Sequence, residues 1–202
     1  MNKTLAKIVS IVFNPLIMPT YGLLILFSAN TYFSLLPFEA KKAIFLTIFI
    51  STCLLPLAFI PLFMYQKLIN NIDMEDKKER LIPYSVIAVL YFLSYFMMEQ
   101  MGVPETILKV ILAAGLLLVT IILITLKWKI STHMAGIGGL AATLITFSLI
   151  LKANFLVFLI ITLIAAGMLG TARITLKLHS PLQIYAGFSL GALMIALTFL
   201  VF

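Results

Sequence analysis

The 202-residue chain contains two histidines, His133 and His179, and each sits beside hydroxyl or cationic side chains at the edge of a long apolar run. Ser131-Thr132-His133 opens one such run. A helix starting there presents unsatisfied backbone N–H groups and the positive end of its dipole, which favour an anion such as phosphate. Arg173 lies six residues before His179, a spacing at which a short loop presents a guanidinium fork to phosphate oxygens while the imidazole approaches phosphorus. Arg80, with Lys77 about one helical turn earlier, adds positive charge. Two imidazoles and fixed cations suffice to cleave a phosphate monoester: one ring attacks phosphorus, the other protonates the leaving alkoxide, and the cations stabilise the oxyanions. This chemistry needs no metal, and no cofactor is expected. The histidines and scattered carboxylates follow no zinc-ligand spacing, and the chain has neither a Gly-x4-Gly-Lys phosphate loop nor a Gly-x-Ser-x-Gly elbow.

The elements that must carry these residues are membrane spans. Hydrophobic residues make up 63% of the chain and charged residues 10%, with a mean hydropathy of +1.18; a soluble domain is about 45–50% apolar and about 25% charged. Such a chain cannot cover its surface with polar groups, so lipid must be its solvent. A helical span takes about 20 residues, and the apolar runs predict seven: Leu5 to Ala29, Ala43 to Tyr65, Pro83 to Met101, Thr106 to Leu126, Ser131 to Leu151, Phe155 to Ala172 and Pro181 to Phe202. Continuously apolar stretches such as Val110 to Leu126 lack the alternation of a membrane β-barrel. The expected fold is therefore all-α, a single polytopic transmembrane bundle with no soluble domain. The first run follows Lys3 and Lys7 as in a signal peptide, but it passes Pro15 and Pro19 without a cleavage site and reads as a retained helix.

Alternating spans sort the connections onto two faces. Face A receives the charged loop Gln66 to Ile82, the connection Lys127 to Ile130 and the connection Arg173 to Ser180, so both histidines, Arg80 and Arg173 share one side of the membrane. Face A also carries Lys3, Lys7, Lys67, Lys77, Lys78, Lys127, Lys129 and Lys177, against Lys41, Lys42, Lys109 and Lys152 on face B. By the positive-inside rule this count makes face A cytoplasmic, but Lys77, Lys78, Arg80 and Arg173 are candidate phosphate ligands or their neighbours and would be needed on either side. Without them six basic residues face four, which leaves the orientation open with a lean to the cytoplasm. The net charge of +7 points weakly to anionic head groups or phosphate and does not imply nucleic acid.

Three segments together resemble the phosphatidic acid phosphatase type 2 superfamily, integral-membrane lipid phosphatases with three short motifs on one side of a six-helix core. Ala172-Arg173 through His179 to Gln183 resembles the third motif, Ser-Arg-x5-His-x3-Asp. Ile130-Ser131-Thr132-His133 resembles Pro-Ser-Gly-His, and Lys77-Lys78-Glu79-Arg80-Leu81-Ile82-Pro83 echoes Lys-x6-Arg-Pro. The resemblance covers roughly Asp73 to Gly191 and implies a six-helix phosphatase-like core plus an extra N-terminal helix. It also implies His179 as the nucleophile that forms a phosphohistidine and His133 as the acid for the leaving group. Arg173, Arg80, Lys77 and Ser131 would hold phosphate, with Thr132 beside it. Two positions depart from the family: Gln183 stands where an aspartate pairs with the nucleophilic histidine, and Thr132 replaces a glycine next to the phosphate. A neutral amide can orient the ring but cannot stabilise its positive charge. In the serine protease triad the corresponding Asp to Asn change costs about ten-thousandfold in rate.

The expected function is a lipid phosphate phosphatase or phosphotransferase in an integral membrane protein of the bacterial inner membrane. Its substrate would be a polyprenyl diphosphate, phosphatidate, phosphatidylglycerol phosphate or lipid A, and its partners membrane lipids. The alternatives are a noncatalytic lipid-phosphate binder or transporter, favoured by Gln183, and a bundle that serves only as an assembly partner. Other conspicuous residues have plainer readings. Cys53 is a small buried side chain, Trp128 an interfacial anchor, Glu99 a snorkelling carboxylate at face B, and Pro15, Pro19, Pro56 and Pro61 kink their spans. Ala135, Gly139 and Thr143, with Gly187 and Gly191, are small residues spaced for close helix packing.

Overall fold

In a computed structural model, which describes residues 1–72, 74 and 76–202, the chain is an all-α bundle with seven helical segments long and apolar enough to cross a membrane. Asp73 and Glu75 of the charged loop lie outside the described residues. The first span consists of α1 (Lys3–Val12) and α2 (Met18–Ser28), and the second of α3 (Phe38–Phe49) and α4 (Leu55–Tyr65). The other five are α5 (Leu81–Gln100), α6 (Glu105–Thr125), α7 (Thr132–Leu151), α8 (Leu156–Thr175) and α9 (Pro181–Val201). The second span starts earlier than its apolar run because Glu39, Lys41 and Lys42 form an exposed or half-exposed first turn on α3.

The two interrupted spans have local causes. At the end of α1 the Asn14 N–H turns back to the Ile11 carbonyl (3.2 Å), the Asn14 side chain accepts from Leu16 N–H (3.0 Å), and Pro15 starts a single 3-10 turn with no N–H to continue the ladder. This leaves carbonyls at the end of α1 in need of donors, and the Tyr21 hydroxyl supplies one to Val12 (3.0 Å). In the second span, Ile50–Leu54 forms a wide π turn just before Pro56, with the Leu55 N–H reaching back to Ile50. The wider turn accommodates the proline ring, and Thr52 in that turn donates to Ile48 C=O at 2.8 Å and lies 3.4 Å from the Leu16 carbonyl. The two irregular segments therefore face each other inside the protein, where broken backbone can be satisfied at membrane depth.

Helix ends follow their sequence. Met101-Gly102-Val103-Pro104 closes α5 in a Schellman motif: Gly102 has φ +67°, and the N–H groups of Gly102 and Val103 bond Glu99 and Met98. Lys177 adopts the same left-handed conformation (φ 57°) to end α8, with Leu178 N–H on the Arg173 carbonyl (3.1 Å), and this fixes the short loop that carries His179.

α7 and α9 form the tightest pair. A Cβ on Gly191 would lie 1.9 Å from the Ala135 carbonyl, one on Gly187 2.5 Å from the Ser131 carbonyl, and one on Gly138 2.2 Å from the Phe188 carbonyl. Lipid tails are as apolar as leucine, so helices in a membrane associate through close contact of this kind rather than through hydrophobic burial. The small-residue spacing in the sequence located this seam, although the closest approach on α7 falls at Gly138, whereas a Cβ on Gly139 would have 3.7 Å to its nearest neighbour.

Candidate functional site

Arg80 closes a 3-10 turn (Lys78–Arg80) that leads into α5 and is 2% exposed. Its Nε–H donates to the Met74 carbonyl at 2.9 Å and an Nη1–H to the Ile130 carbonyl at 3.2 Å, which ties the charged loop to the connection before α7. These bonds use two of the five guanidinium donors, and the side chain lines a cavity of about 420 Å³ in the middle of the bundle. Arg173 lines the same cavity from α8. It sits in the last turn of α8, 3% exposed, rather than in the loop expected from its spacing to His179. Thr132, His133 and Tyr84 share the wall with the arginines, and the Tyr84 and Thr132 hydroxyls are hydrogen-bonded at 3.2 Å.

His133 Nε2 lies 3.2 Å from the Ser10 carbonyl. A carbonyl can only accept, so Nε2 carries the proton. The break at Asn14 explains the bond: Asn14 N–H bonds Ile11, so Ser10 C=O lacks its usual helical donor, and the imidazole replaces it. His133 thus ties α7 to the first span as well as facing the cavity.

His179 lies in the loop between α8 and α9 and is 7% exposed. The Gln183 Oε1 atom accepts from His179 Nδ1–H (3.0 Å) and from Ser180 N–H (3.1 Å). Because the second donor is a backbone N–H, it fixes which end of the amide faces the ring; Nδ1 is then protonated and the lone pair is on Nε2. Burial, followed by the Arg80 guanidinium, pushes the His179 imidazole down to about 3, with Arg173 and Lys129 adding to the depression and the Gln183 bond opposing it. The ring is therefore neutral at physiological pH. His133, His179, Arg80 and Arg173 are close enough to act on one another electrostatically, although His179 and Gln183 are not part of the cavity wall.

The other expected site residues have structural partners and are not part of the cavity wall. Lys77 Nζ donates to the Leu126 and Lys127 carbonyls (3.1 and 3.2 Å), which satisfies the end of α6 with a cation. Ser131 is fully buried as the N-cap of α7: its Oγ accepts from Met134 N–H (3.4 Å) and its own N–H bonds the Gln183 carbonyl (3.3 Å). The helix N-terminus is thus packed against α9, and Thr132 faces the cavity from it. Sequence reasoning missed the first span, which adds Lys7, Ser10 and Asn14 to the cavity wall. The available signal was Asn14-Pro15 inside an apolar run, which reads as a kink unless the carbonyls freed by the break are followed to their donors. Among the described residues, no group of histidine, cysteine and carboxylate side chains is placed to hold a metal.

The chain matches no protein-family model, no curated protein and no solved structure.

Proposed function

We propose that this chain is a lipid phosphate phosphatase or phosphotransferase that works through a phosphohistidine on His179. The observation that carries the reading is the meeting of two buried arginines from separate elements, Arg80 and Arg173, with His133 in the wall of one largely apolar cavity, and with His179 outside that wall but within electrostatic reach of both guanidinium groups. Buried guanidinium groups are suited to phosphate, which they bind through paired N–H donors, and an apolar cavity directly beneath them favours a phosphate attached to a lipid. In the reaction, the Nε2 lone pair of His179 attacks phosphorus and the bond to the lipid oxygen breaks. His133 must enter this step doubly protonated: with Nε2–H held by the Ser10 carbonyl, its Nδ1 proton passes to the leaving alkoxide and the ring becomes neutral. Water, or another hydroxyl in the phosphotransferase case, then attacks the phosphohistidine and gives its proton back to His133; the P–N bond breaks, phosphate or the new phosphate ester leaves, and both rings are restored. The resemblance of the three segments to the phosphatidic acid phosphatase type 2 pattern supports the same roles.

A second reading, a noncatalytic lipid-phosphate binder, is favoured by the partners of the two rings: His133 donates to Ser10, and Gln183 is a neutral partner that also bonds Ser180 N–H. Phosphate release from a panel of lipid phosphates by the purified chain in nanodiscs separates the two. Turnover that disappears in His179→Ala, with an acid-labile phosphoprotein trapped in the wild type, supports the enzyme. Binding of the same lipids without turnover in either protein supports the binder.

A further inference from the structure

The cavity extends well below the arginines. Its wall runs from Thr132 to Thr143 along α7, from Arg80 to Tyr91 along α5 and from Ile121 to Val110 along α6, each ~16 Å of helix rise. That depth is about half of the roughly 30 Å hydrocarbon core, the length one leaflet gives to a lipid chain. Its volume of about 420 Å³ is nearly three times that of the roughly 150 Å³ apolar cavity that takes a benzene ring. The cationic side chains of Lys7, Arg80 and Arg173 gather at the face A end with Ser10, Tyr84 and Thr132. The deep end is lined by Gly22, Val110, Ala113 and Gly139 together with Tyr91 and Thr143, whose hydroxyl donates to the Gly139 carbonyl at 2.9 Å. Below them lies a void of about 20 Å³ that shares Gly22, Val110 and Thr143 and is too small to continue a chain. The exposed apolar side chains of Ile11, Leu57 and Ile72 also line the cavity.

We propose that this cavity receives one hydrocarbon chain of the phosphate-bearing lipid, inserted from the arginine end, and selects it by length, with the floor at Gly22, Val110, Ala113 and Gly139. The inference rests on the reading of Arg80 and Arg173 as the phosphate ligands, since charge at one end and an apolar shaft below match a single-chain amphiphile with an anionic head. A phosphate head between the arginines places the first carbons at Thr132 and Tyr84. A chain longer than one leaflet meets the floor and must leave carbons outside.

The test is thermal stabilisation of the full chain in nanodiscs by n-alkyl monophosphates from hexyl to octadecyl, with inorganic phosphate as the head-group-only arm. Stabilisation should rise with length to an optimum and then level off or fall. Ala113→Leu should move the optimum to shorter chains by a few carbons. Gly139→Ala, whose added methyl would have 3.7 Å to its nearest neighbour, should move it the same way by less, and it stands in if the leucine variant fails to fold. Gly167→Ala, which meets nothing within 4 Å, should leave it in place. A steady rise with length that is identical in all variants is simple partitioning into lipid and overturns the proposal. Phosphate release is read from the same samples. A length optimum that shifts with the floor, without release, keeps the chain receptor and removes the phosphatase, whereas release that ignores length and the floor variants does the opposite.

Discussion

Gln183 holds the His179 ring in one tautomer without giving it charge. Phosphorylation of Nε2 in the proposed reaction would create a positive imidazolium, and the amide oxygen opposite Nδ1 offers only a dipole. Gln183→Glu keeps the side-chain length and both bonds, to Nδ1–H and to Ser180 N–H, and adds the missing charge; Asp would fall short by one methylene. Phosphate release should rise at least tenfold in this variant, below a ceiling of about ten-thousandfold set by the protease analogy, as measured in single-turnover assays; a binder would show no release in either protein. The low proton affinity of His179 also couples to stability. Its folded value of about 3 lies below the ordinary histidine value of 6.5, so between those pH values the unfolded chain binds the extra proton and stability falls as pH falls, by at most about 1.4 kcal/mol per pH unit. Thermal unfolding between pH 7 and 4 should show this slope, and His179→Ala should flatten it. His133 needs a control that separates its two tasks. His133→Ala leaves the Ser10 carbonyl buried without a donor, a loss of about 1–3 kcal/mol, whereas His133→Gln can still donate to Ser10 but cannot act as the acid. The glutamine variant should recover most of the melting temperature and none of the turnover.

At the scale of elements, the close seam between α7 and α9 holds the site together, because it fixes Ser131 and Thr132 against the helix that begins just after His179. Gly191→Ala would place a methyl 1.9 Å from the Ala135 carbonyl. Both partners are backbone, so the helices must separate, and the expected loss is about 3 kcal/mol or more. Gly167→Ala on α8 meets nothing within 4 Å and should be neutral or stabilise by up to about 1 kcal/mol through helix propensity. Melting temperatures in nanodiscs measure both. This seam was legible in advance because small residues four apart on two runs have one main use in lipid. The spans were legible too, since apolar length alone defines them, and the boundaries moved by only a few residues. Neither the split of the first span nor the role of Ser10 could be read, because both depend on which carbonyl loses its donor at Asn14-Pro15. Arg173 was found by its type and spacing, whereas its place inside α8 depends on the left-handed turn at Lys177, a residue with no glycine-like signal. Lys77 and Ser131 illustrate the same limit: a cation or hydroxyl near a helix end serves a ligand or the helix equally well in sequence, and the partner carbonyls and N–H groups decide.

For the whole molecule, the seven spans bring the charged loop, the two short connections and the N-terminus to one face, and the orientation of that face would determine which pool of lipid phosphate the proposed site meets. Charge argues for the cytoplasm. Face A carries Lys3, Lys7, Lys67, Lys127, Lys129 and Lys177 in addition to Lys77, Lys78, Arg80 and Arg173, against four lysines on face B. Arg80 and Arg173 are accounted for by the cavity, so they say nothing about topology. Lys77 caps α6 and does not line the cavity, which returns it to the topological count and strengthens the bias. Lys7 also lines the cavity, and the balance still favours face A inside after it and the two arginines are removed. Cysteine labelling in intact cells can test this in the natural background, because Cys53 is 3% exposed and inside a span, where it reacts poorly with a membrane-impermeant maleimide. Lys127→Cys, on an exposed face A residue outside the cavity, should be labelled only after the cells are opened, and Glu39→Cys, on an exposed face B turn, should be labelled in intact cells. The reverse pattern would place the arginine cluster on the outer side of the membrane, and the phosphate would then have to come from lipids displayed there.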